Sequence, residues 1–195
     1  GVEKVNNEQR FRLTNAEKKW LEKHKTIRFS GDPNWLPYEA FTADGEYIGI
    51  VSEYLKLIEK KVGFKFEIVP SSSWLDAIKK IENDEIDVLS ETSDSNLNSL
   101  LTFTNDYISS PIVITMHDSQ NYVEDLEHIK DKKIAVINGY GYVPEIKKKY
   151  PNINFQTVDS IQAGLTGVST ERFDALISTL AQTSYHISEL GIHNV

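Results

Sequence analysis

The chain has 195 residues, of which 39% are hydrophobic and 26% are charged, and its formal net charge is −8. This length and composition suit a globular protein with one medium domain or two small lobes. The excess of acidic residues argues against a nucleic-acid surface. The chain has no cysteine, which excludes disulfides, thiolate metal sites and thiol catalysis, and its five histidines form no ligand-spaced pair. We therefore predict no metal site and no cofactor.

Strand and helix patterns alternate in the first half of the chain. Residues 1–13 are polar and aperiodic and are assigned as a linker, and Thr14-Asn15-Ala16-Glu17 then has the capping-box pattern that opens a helix. Apolar spacing predicts strands over residues 27–29, 64–69 and 86–89, and helices over residues 50–62 and 74–81. This order predicts a βαβαβ unit with a parallel sheet.

The stretch over residues 32–39, Asp-Pro-Asn-Trp-Leu-Pro-Tyr-Glu, follows the first of these strands. Its two prolines fix the backbone, so we predict a non-regular loop that holds its shape before a ligand arrives. In an open α/β sheet, ligands usually bind at the carboxyl ends of strands. The loop would offer Asp32, Trp35, Tyr38 and Glu39 to a ligand. The alternative is an aromatic-rich surface turn that packs on its own domain.

The second half of the chain repeats the first after an extended crossing. It has predicted strands over residues 133–137, 154–158 and 173–178, with helices from about Pro144 and from Ser160. A last predicted helix covers residues 181–190. These patterns divide the chain into a linker, lobe 1, a hinge crossing, lobe 2 and the start of a return strand, over residues 1–13, 14–107, 108–116, 117–191 and 192–195.

Several segments in this order resemble the bacterial extracellular solute-binding protein family 3. They are Ile27-Arg28-Phe29, residues 32–39, Gly45 with Gly49-Ile50, Ile86-Asp87-Val88-Leu89, residues 103–107, Ile134-Ala135-Val136 with Gly139, and Phe173-Asp174-Ala175-Leu176. The resemblance implies an α/β fold of the two-lobed Venus flytrap type, like the type II periplasmic binding proteins. Each lobe would be a βαβαβ unit with a mainly parallel sheet, and a small ligand would bind between the lobes.

A narrower resemblance involves residues near the two ends of the chain. The residues are Leu13-Thr14, Glu17, Trp20-Leu21 and His24, and later Ser184-Tyr185, Leu190-Gly191 and Asn194-Val195. They are similar to the input domains of membrane-bound sensor histidine kinases and diguanylate cyclases. This resemblance implies a periplasmic or extracytoplasmic domain of an inner-membrane protein. Lobe closure on a ligand would signal to the kinase or cyclase, and the domain itself would not be an enzyme.

Other functions and assemblies stay open at this point. A solute-binding protein of an ABC transporter would use the same cleft. A dehydratase-like enzyme on the same fold is a lower alternative, for which Glu39 and Glu91 are the acid and base candidates. The sequence also leaves a homodimer open.

The chain departs from the family at three places. Amino-acid binders of the family carry an arginine for the ligand carboxylate where this chain has Asp94-Ser95-Asn96-Leu97-Asn98. They carry an aspartate for the α-amine where this chain has Thr179. The absence of both anchors argues against amino-acid binding. The family also continues beyond the position of Val195 and returns to lobe 1, which leaves two alternatives: lobe 1 is incomplete within residues 14–107, or the returning segment is not included in the given sequence.

The loops that the prediction places at the ligand cleft contain acids and aromatics but no lysine, arginine or histidine. A polyanion would lose hydration there without a charged partner, at a cost of several kcal/mol. A single carboxylate remains compatible with the amides at the helix start near Tyr142. Acids beside aromatic faces favour a cationic or neutral small molecule, although each of these side chains could instead serve packing or helix capping. The predicted ligand-binding residues are Asp32, Trp35, Tyr38, Glu39, Trp74, Glu91, Thr92, Tyr107, Asn138, Gly139, Tyr140, Gly141 and Thr179.

Overall fold

The computed structural model describes residues 12–92, 97 and 99–195, and the chain divides into two units after Ser90. The sequence had placed residues 91–107 in lobe 1 and residues 108–116 in a hinge. Those lobe limits stay a prediction. No helix in the described part of the chain is both long and apolar enough to cross a membrane.

The first unit has the predicted βαβαβ order. Its parallel sheet has the strand order β5-β1-β6, with β1 in the centre. The capping box at Thr14 is confirmed, since its hydroxyl accepts from the Glu17 amide and the Glu17 carboxylate accepts from the Thr14 amide. The elements of this unit are α1 (Asn15–Lys23), β1 (Thr26–Ser30), β2 (Asn34–Trp35), β3 (Glu39–Phe41), β4 (Tyr47–Ile48), α2 (Ile50–Val62), β5 (Lys65–Ile68), α3 (Trp74–Glu82) and β6 (Val88–Leu89).

The prediction of a non-regular loop over residues 32–39 was wrong in part. Asn34 pairs with Ala40 and Trp35 pairs with Glu39, so β2 and β3 form an antiparallel hairpin, and β4 adds a third strand. These strands are two or three residues long, which is too short for an alternating pattern to show in the sequence. The hairpin places Glu39 on a strand rather than in a loop.

The second unit is built on a four-stranded sheet with the order β7-β10-β8-β9. β8, β9 and β10 are parallel, and β7 runs antiparallel along β10. A short 3-10 helix, Leu126–Ile129, precedes β8. The other elements are β7 (Ile112–Met116), β8 (Ile134–Ile137), α4 (Tyr142–Lys149), β9 (Gln156–Val158), α5 (Ile161–Ser169), β10 (Ala175–Thr179) and α6 (Leu180–Leu190).

Hydrophobic side chains cover both faces of this second sheet. Along β8, Ile134 and Val136 belong to one buried cluster, while Ala135 and Ile137 belong to another. Alternate residues of a strand point to opposite faces, so a strand buried on both sides is apolar throughout. Both faces of β8 are therefore covered by apolar side chains, and the residue that follows its carboxyl end, Asn138, is polar.

Two predictions in the second unit need correction. α4 begins at Tyr142 rather than near Pro144; the proline lies in the first turn, where the N–H that it lacks would have no partner within the helix. Residues 192–195 do not form the start of a strand. Asn194 is instead bonded to the body of this unit, where its carbonyl accepts from the Asp118 amide at 2.8 Å and its side-chain amide donates to the Ser169 carbonyl at 3.0 Å.

Candidate functional site

In the first unit, the turn after β1 is organised around the carboxylate of Glu39. This side chain is fully buried, with 0% of its surface exposed. Oε1 accepts from the Asp32 amide at 2.8 Å and from the Ser90 hydroxyl at 2.6 Å, and Oε2 accepts from the Tyr47 hydroxyl. One carboxylate therefore joins the ends of β1 and β6 to the β2–β4 hairpin.

Gly31 makes this arrangement sterically possible. A Cβ at this position would collide with Glu39 Oε2, and it would lie 2.8 Å from Glu39 Cδ and 2.9 Å from Ser90 Oγ. The Ser71 hydroxyl donates to the Gly31 carbonyl at 2.6 Å and so also fixes the backbone of the turn. The turn is thus held rigidly before any ligand binds.

Asp32 and Glu39 give this turn a negative character. Burial raises the pKa of Glu39, against the lowering effect of its hydrogen bonds from Ser90, Tyr47 and Asp32. Burial also raises the pKa of Asp32, whose Oδ1 accepts from the Asn34 amide at 2.8 Å. Within the described residues, none of the ion pairs involves either carboxylate. A cationic group on a ligand would relieve this uncompensated charge.

Aromatic side chains lie beside this turn. The rings of Trp35 and Tyr38 are 4.5 Å apart between centroids and are tilted by 40°. Tyr38 is buried with 4% exposed, while Trp35 is half-buried. Trp74 is half-buried as well and is the first residue of α3. The structure thus brings Asp32, Trp35, Tyr38 and Glu39 into one neighbourhood, in which Glu39 and Tyr38 are buried and Asp32 and Trp35 are half-buried.

In the second unit, a buried glutamine joins two of the predicted site residues. Gln182 is 1% exposed, and its Nε2 donates to the Tyr140 hydroxyl at 3.2 Å. The Thr179 hydroxyl accepts from the Gln182 amide at 3.4 Å and donates to Gln182 Oε1 at 3.5 Å. Tyr140 follows β8 and Thr179 ends β10, so the glutamine links the ends of neighbouring parallel strands.

The N-terminus of α6 already has acceptors from the chain for its first amides. The Leu180 amide donates to the Pro111 carbonyl at 2.8 Å, and the Ala181 amide donates to the Ser110 hydroxyl at 3.2 Å. The Gln182 amide is held by the N-cap, Thr179. A ligand carboxylate would have to displace one of these acceptors, so this helix end offers no ready anion site.

The remaining predicted residues lie at other places in the second unit. Gly139 has a positive φ of 83°, which only glycine adopts without strain, and Gly141 is the N-cap of α4. Tyr107 is 41% exposed. Glu91 and Asn138 are exposed and Thr92 is half-buried. Residues 93–96 and 98, which cover most of the segment predicted to lack the family's arginine, lie outside the described residues.

Two residues important to this geometry, Gln182 and Ser90, were not predicted from the sequence. Thr179-Leu180-Ala181-Gln182 has the Thr-x-x-Gln pattern of a capping box, which would have marked Gln182 as the N3 residue. Ser90 directly follows the third predicted strand, the usual place for a polar site residue. In the described part of the chain, no group of three or more His, Asp or Glu side chains could hold a metal ion.

A match to a family model identifies the family of this chain. The model for bacterial extracellular solute-binding proteins, family 3, matches residues 27–153, which is more than half of the chain. The chain belongs to this family. The match includes the Asp32 and Glu39 turn of the first unit and the Tyr140 turn of the second.

Two curated sensor proteins are similar to this member of family 3. The virulence sensor protein BvgS of Bordetella pertussis is 22% identical over 173 residues, covering 88% of this chain and 14% of BvgS. The sensor protein EvgS of Escherichia coli K12 is 25% identical over 177 residues, covering 90% of this chain and 14% of EvgS. The chain thus spans about one seventh of the length of these relatives.

Solved structures show the same fold. The crystal structure of the BvgS periplasmic VFT2 domain has a TM-score of 0.77 and 22% sequence identity, covering 91% of this chain and 76% of that one. The ancestral amino acid-binding protein AncCDT-1, described as a precursor of cyclohexadienyl dehydratase, has a TM-score of 0.68 and 20% identity, covering 87% of this chain and 77% of that one. The fold is therefore that of the Venus flytrap domains.

Proposed function

We propose that this family 3 chain is the ligand-binding sensor domain of a membrane-tethered protein, and that its ligand is a small cationic or neutral solute. The observation that carries the ligand class is the pair of part-buried and buried carboxylates, Asp32 and Glu39, which have no cationic partner among the described residues. Glu39 has three donors from the chain itself, which leaves Asp32 as the anchor for a ligand cation.

The chemistry of the neighbouring groups supports the same ligand class. The Trp35 ring lies beside the turn that contains Asp32, and a close cation–π contact contributes roughly 0.5–2 kcal/mol. In the second unit, the first amides of α6 have acceptors from the chain, which disfavours an anionic ligand there. A second solved structure of AncCDT-1 is described as an ancestral cationic amino acid solute-binding protein, which sets a precedent for cations on this fold.

The test of the ligand class is thermal unfolding with four probes that differ in charge: agmatine, L-arginine, L-glutamine and succinate. A ligand present at a hundred times its Kd stabilises the native state by about 2.7 kcal/mol. We expect agmatine to raise Tm, and we expect Asp32→Asn and Trp35→Ala to remove the shift. Asp44→Asn is the matched control, because Asp44 is exposed on the turn between β3 and β4. A Tm rise with succinate alone would refute the cationic ligand class.

The sensor role is supported by the relatives BvgS and EvgS, both of which are sensor proteins. By this proposal the domain is periplasmic and is tethered to the inner membrane. Its ligand state is relayed to an output domain such as a histidine kinase, and a homodimer is compatible with this arrangement. Reading the complete coding sequence distinguishes the proposed sensor from a transport receptor. A sensor requires a following transmembrane helix and kinase or cyclase segment, whereas a transport receptor requires a signal sequence or lipidated cysteine and no output domain.

A dehydratase activity is the second candidate, because AncCDT-1 is a precursor of such an enzyme. The candidate acid and base were Glu39 and Glu91. Glu39 is fully buried and accepts three hydrogen bonds from the chain, so its carboxylate is occupied as a structural acceptor. Without Glu39, the acid–base pair that would support catalysis is incomplete, and the binding function is favoured.

A further inference from the structure

We propose that Gln182 is a positioning residue, which holds the Tyr140 side chain against the end of β10 so that its ring is fixed where it meets the ligand. The proposal rests on the proposed function for the ligand contact of Tyr140. The link between the two side chains lies wholly within the second unit, and it can be tested without a ligand.

The orientation of the Gln182 amide follows from its partners. The Thr179 hydroxyl accepts from the Gln182 backbone amide at 3.4 Å, and it donates its own proton to Oε1 at 3.5 Å. Since Oε1 faces the threonine, Nε2 faces the Tyr140 hydroxyl, to which it donates at 3.2 Å. The N-cap of α6 thereby sets the direction in which the glutamine presents its donor.

The burial of this amide indicates that its bonds matter. Gln182 is only 1% exposed, and a buried primary amide is costly unless both of its ends are hydrogen-bonded. A methionine or leucine would fill a similar volume without that requirement. A polar side chain at this position is therefore explained by what it bonds to, which is the turn after β8 on one side and the end of β10 on the other.

The ring and the hydroxyl of Tyr140 are fixed by different forces. The ring packs against both hydrophobic clusters of the second sheet. Apolar packing has no directional preference, so it limits where the ring lies but leaves room for the ring to shift and tilt within its contacts. The hydroxyl oxygen is rigidly attached to the ring, so the bond from Gln182 limits this movement and makes the Tyr140 side chain preorganised for binding.

Thr183 offers a matched control in the same helix. It is 5% exposed, and its hydroxyl bonds to the Ser178 hydroxyl and donates to the Thr179 carbonyl at 2.7 Å. Within the described part of the chain, these hydrogen bonds connect Thr183 to the end of β10 and not to Tyr140. Thr183→Val thus removes buried hydrogen bonds next to Gln182 without removing the proposed link, and it measures the effect of a purely structural loss.

The first experiment is ¹⁹F NMR of protein labelled with 3-fluorotyrosine, in the absence of ligand. Tyr140→Phe identifies the Tyr140 resonance. We expect Gln182→Met to move this resonance and Thr183→Val to leave it in place. A folded Gln182→Met variant whose Tyr140 resonance stays at the wild-type position would overturn the proposal.

A second experiment approaches the same bond from Tyr140, in case Gln182→Met does not fold. In ¹⁵N-labelled Tyr140→Phe protein, the side-chain amide protons of Gln182 should exchange with solvent about tenfold faster, as expected when a buried hydrogen bond of ordinary strength is lost. Unchanged exchange would show that the phenol does not hold the amide.

The effect on binding is measured by titration with agmatine. Gln182→Met should weaken agmatine binding about three- to tenfold, the range that corresponds to one lost hydrogen bond, while Thr183→Val should not. Unchanged affinity in Gln182→Met would overturn the positioning role. If the wild-type protein bound none of the four probes, the proposed function would fail, and the resonance experiment would still decide the link.

Discussion

Two buried serines at the ends of central strands differ in their hydrogen bonding. Ser30, at the end of β1, and Ser178, near the end of β10, both have 0% of their surface exposed. Ser178 Oγ bonds to the Thr183 hydroxyl, whereas Ser30 Oγ has no hydrogen-bond partner among the described residues. A buried hydroxyl without a partner keeps its desolvation cost with no compensation.

This difference predicts that replacement by alanine affects the free energy of unfolding differently at the two positions. Ser30→Ala should leave the free energy of unfolding unchanged or raise it by up to about 1 kcal/mol, because it removes an uncompensated hydroxyl. Ser178→Ala should lower it by about 1–2 kcal/mol, because it leaves Thr183 with one partner fewer. Urea unfolding of both variants tests this pair. A loss in Ser30→Ala as large as in Ser178→Ala would show that Ser30 has a partner, such as a buried water.

Gly31 provides a second test at the scale of single residues. The collision of an added Cβ with Glu39 Oε2 indicates that Gly31→Ala should destabilise the protein by about 1–3 kcal/mol through overpacking. The loss should be smaller in a Glu39→Ala background, since the carboxylate that blocks the methyl group is then absent. A double-mutant cycle from urea unfolding measures this coupling. Additive losses would mean that Gly31 is needed for a reason unrelated to Glu39.

At the scale of elements, α5 lies close to the second sheet because two of its glycines face it. A Cβ on Gly164 would lie 2.7 Å from a methyl group of Leu176, and one on Gly167 would collide with the Phe173 ring. Helix propensity and packing therefore make opposite predictions for Gly167→Ala. Propensity alone gives a gain of roughly 0.5–1 kcal/mol, while overpacking gives a loss of about 1–3 kcal/mol.

We expect packing to dominate, so Gly167→Ala should lower the free energy of unfolding. Thr166→Ala is the control in the same helix, because Thr166 is exposed and its replacement changes helix propensity without changing a buried contact. Guanidinium unfolding of the two variants gives the comparison. Stabilisation by Gly167→Ala would mean that α5 can move away from the sheet without cost.

The elements also show what the sequence could and could not predict. Long helices and buried strands were predicted because their periodicity covers many residues: α2, for example, runs from Ile50 to Val62 and ends at Gly63 in the left-handed conformation. The β2–β4 hairpin was missed because its strands are too short to show a period. The role of Gln182 was missed because it depends on a partner, Tyr140, that lies 42 positions away along the chain.

The location of the candidate site stays a prediction, and the structure adds the contacts that the individual side chains make there. The residues that follow β1 and β8 were predicted from the rule that ligands bind at strand ends. Glu39 was expected to face the ligand, yet it is buried and bonded to Asp32, Tyr47 and Ser90. A glutamate that binds a ligand and a glutamate that stabilises a loop cannot be distinguished by residue type, and only their three-dimensional contacts tell them apart.

At the scale of the whole molecule, the dependence of stability on pH is set by carboxyl groups whose pKa values are raised in some cases and lowered in others. Burial raises the pKa of Glu39 and of Asp32. Hydrogen bonds from Ser72 and Lys80 lower the pKa of Asp76, and those from Arg28 lower the pKa of Asp87. A group with a raised pKa in the folded state contributes stability at low pH that is lost as the pH rises through its folded value. A group with a lowered pKa contributes stability at higher pH that is lost as the pH falls through its folded value.

The free energy of unfolding should therefore pass through a maximum in mildly acidic solution. Below the ordinary aspartate value of 3.8, the contributions of Asp76 and Asp87 are lost. Above the ordinary glutamate value of 4.5, stability declines as buried Glu39 ionises.

Glu39→Gln should flatten this decline, whatever its effect on the absolute stability, because the variant has no proton to lose at that position. Glu46→Gln, an exposed glutamate on the same hairpin, should leave the slope unchanged. Urea unfolding at several pH values from about 4, just below the ordinary glutamate value, up to about 8 gives both slopes. Equal slopes in the wild type and in Glu39→Gln would mean that the ionisation of Glu39 is not linked to folding, and that its three donors compensate fully for its burial.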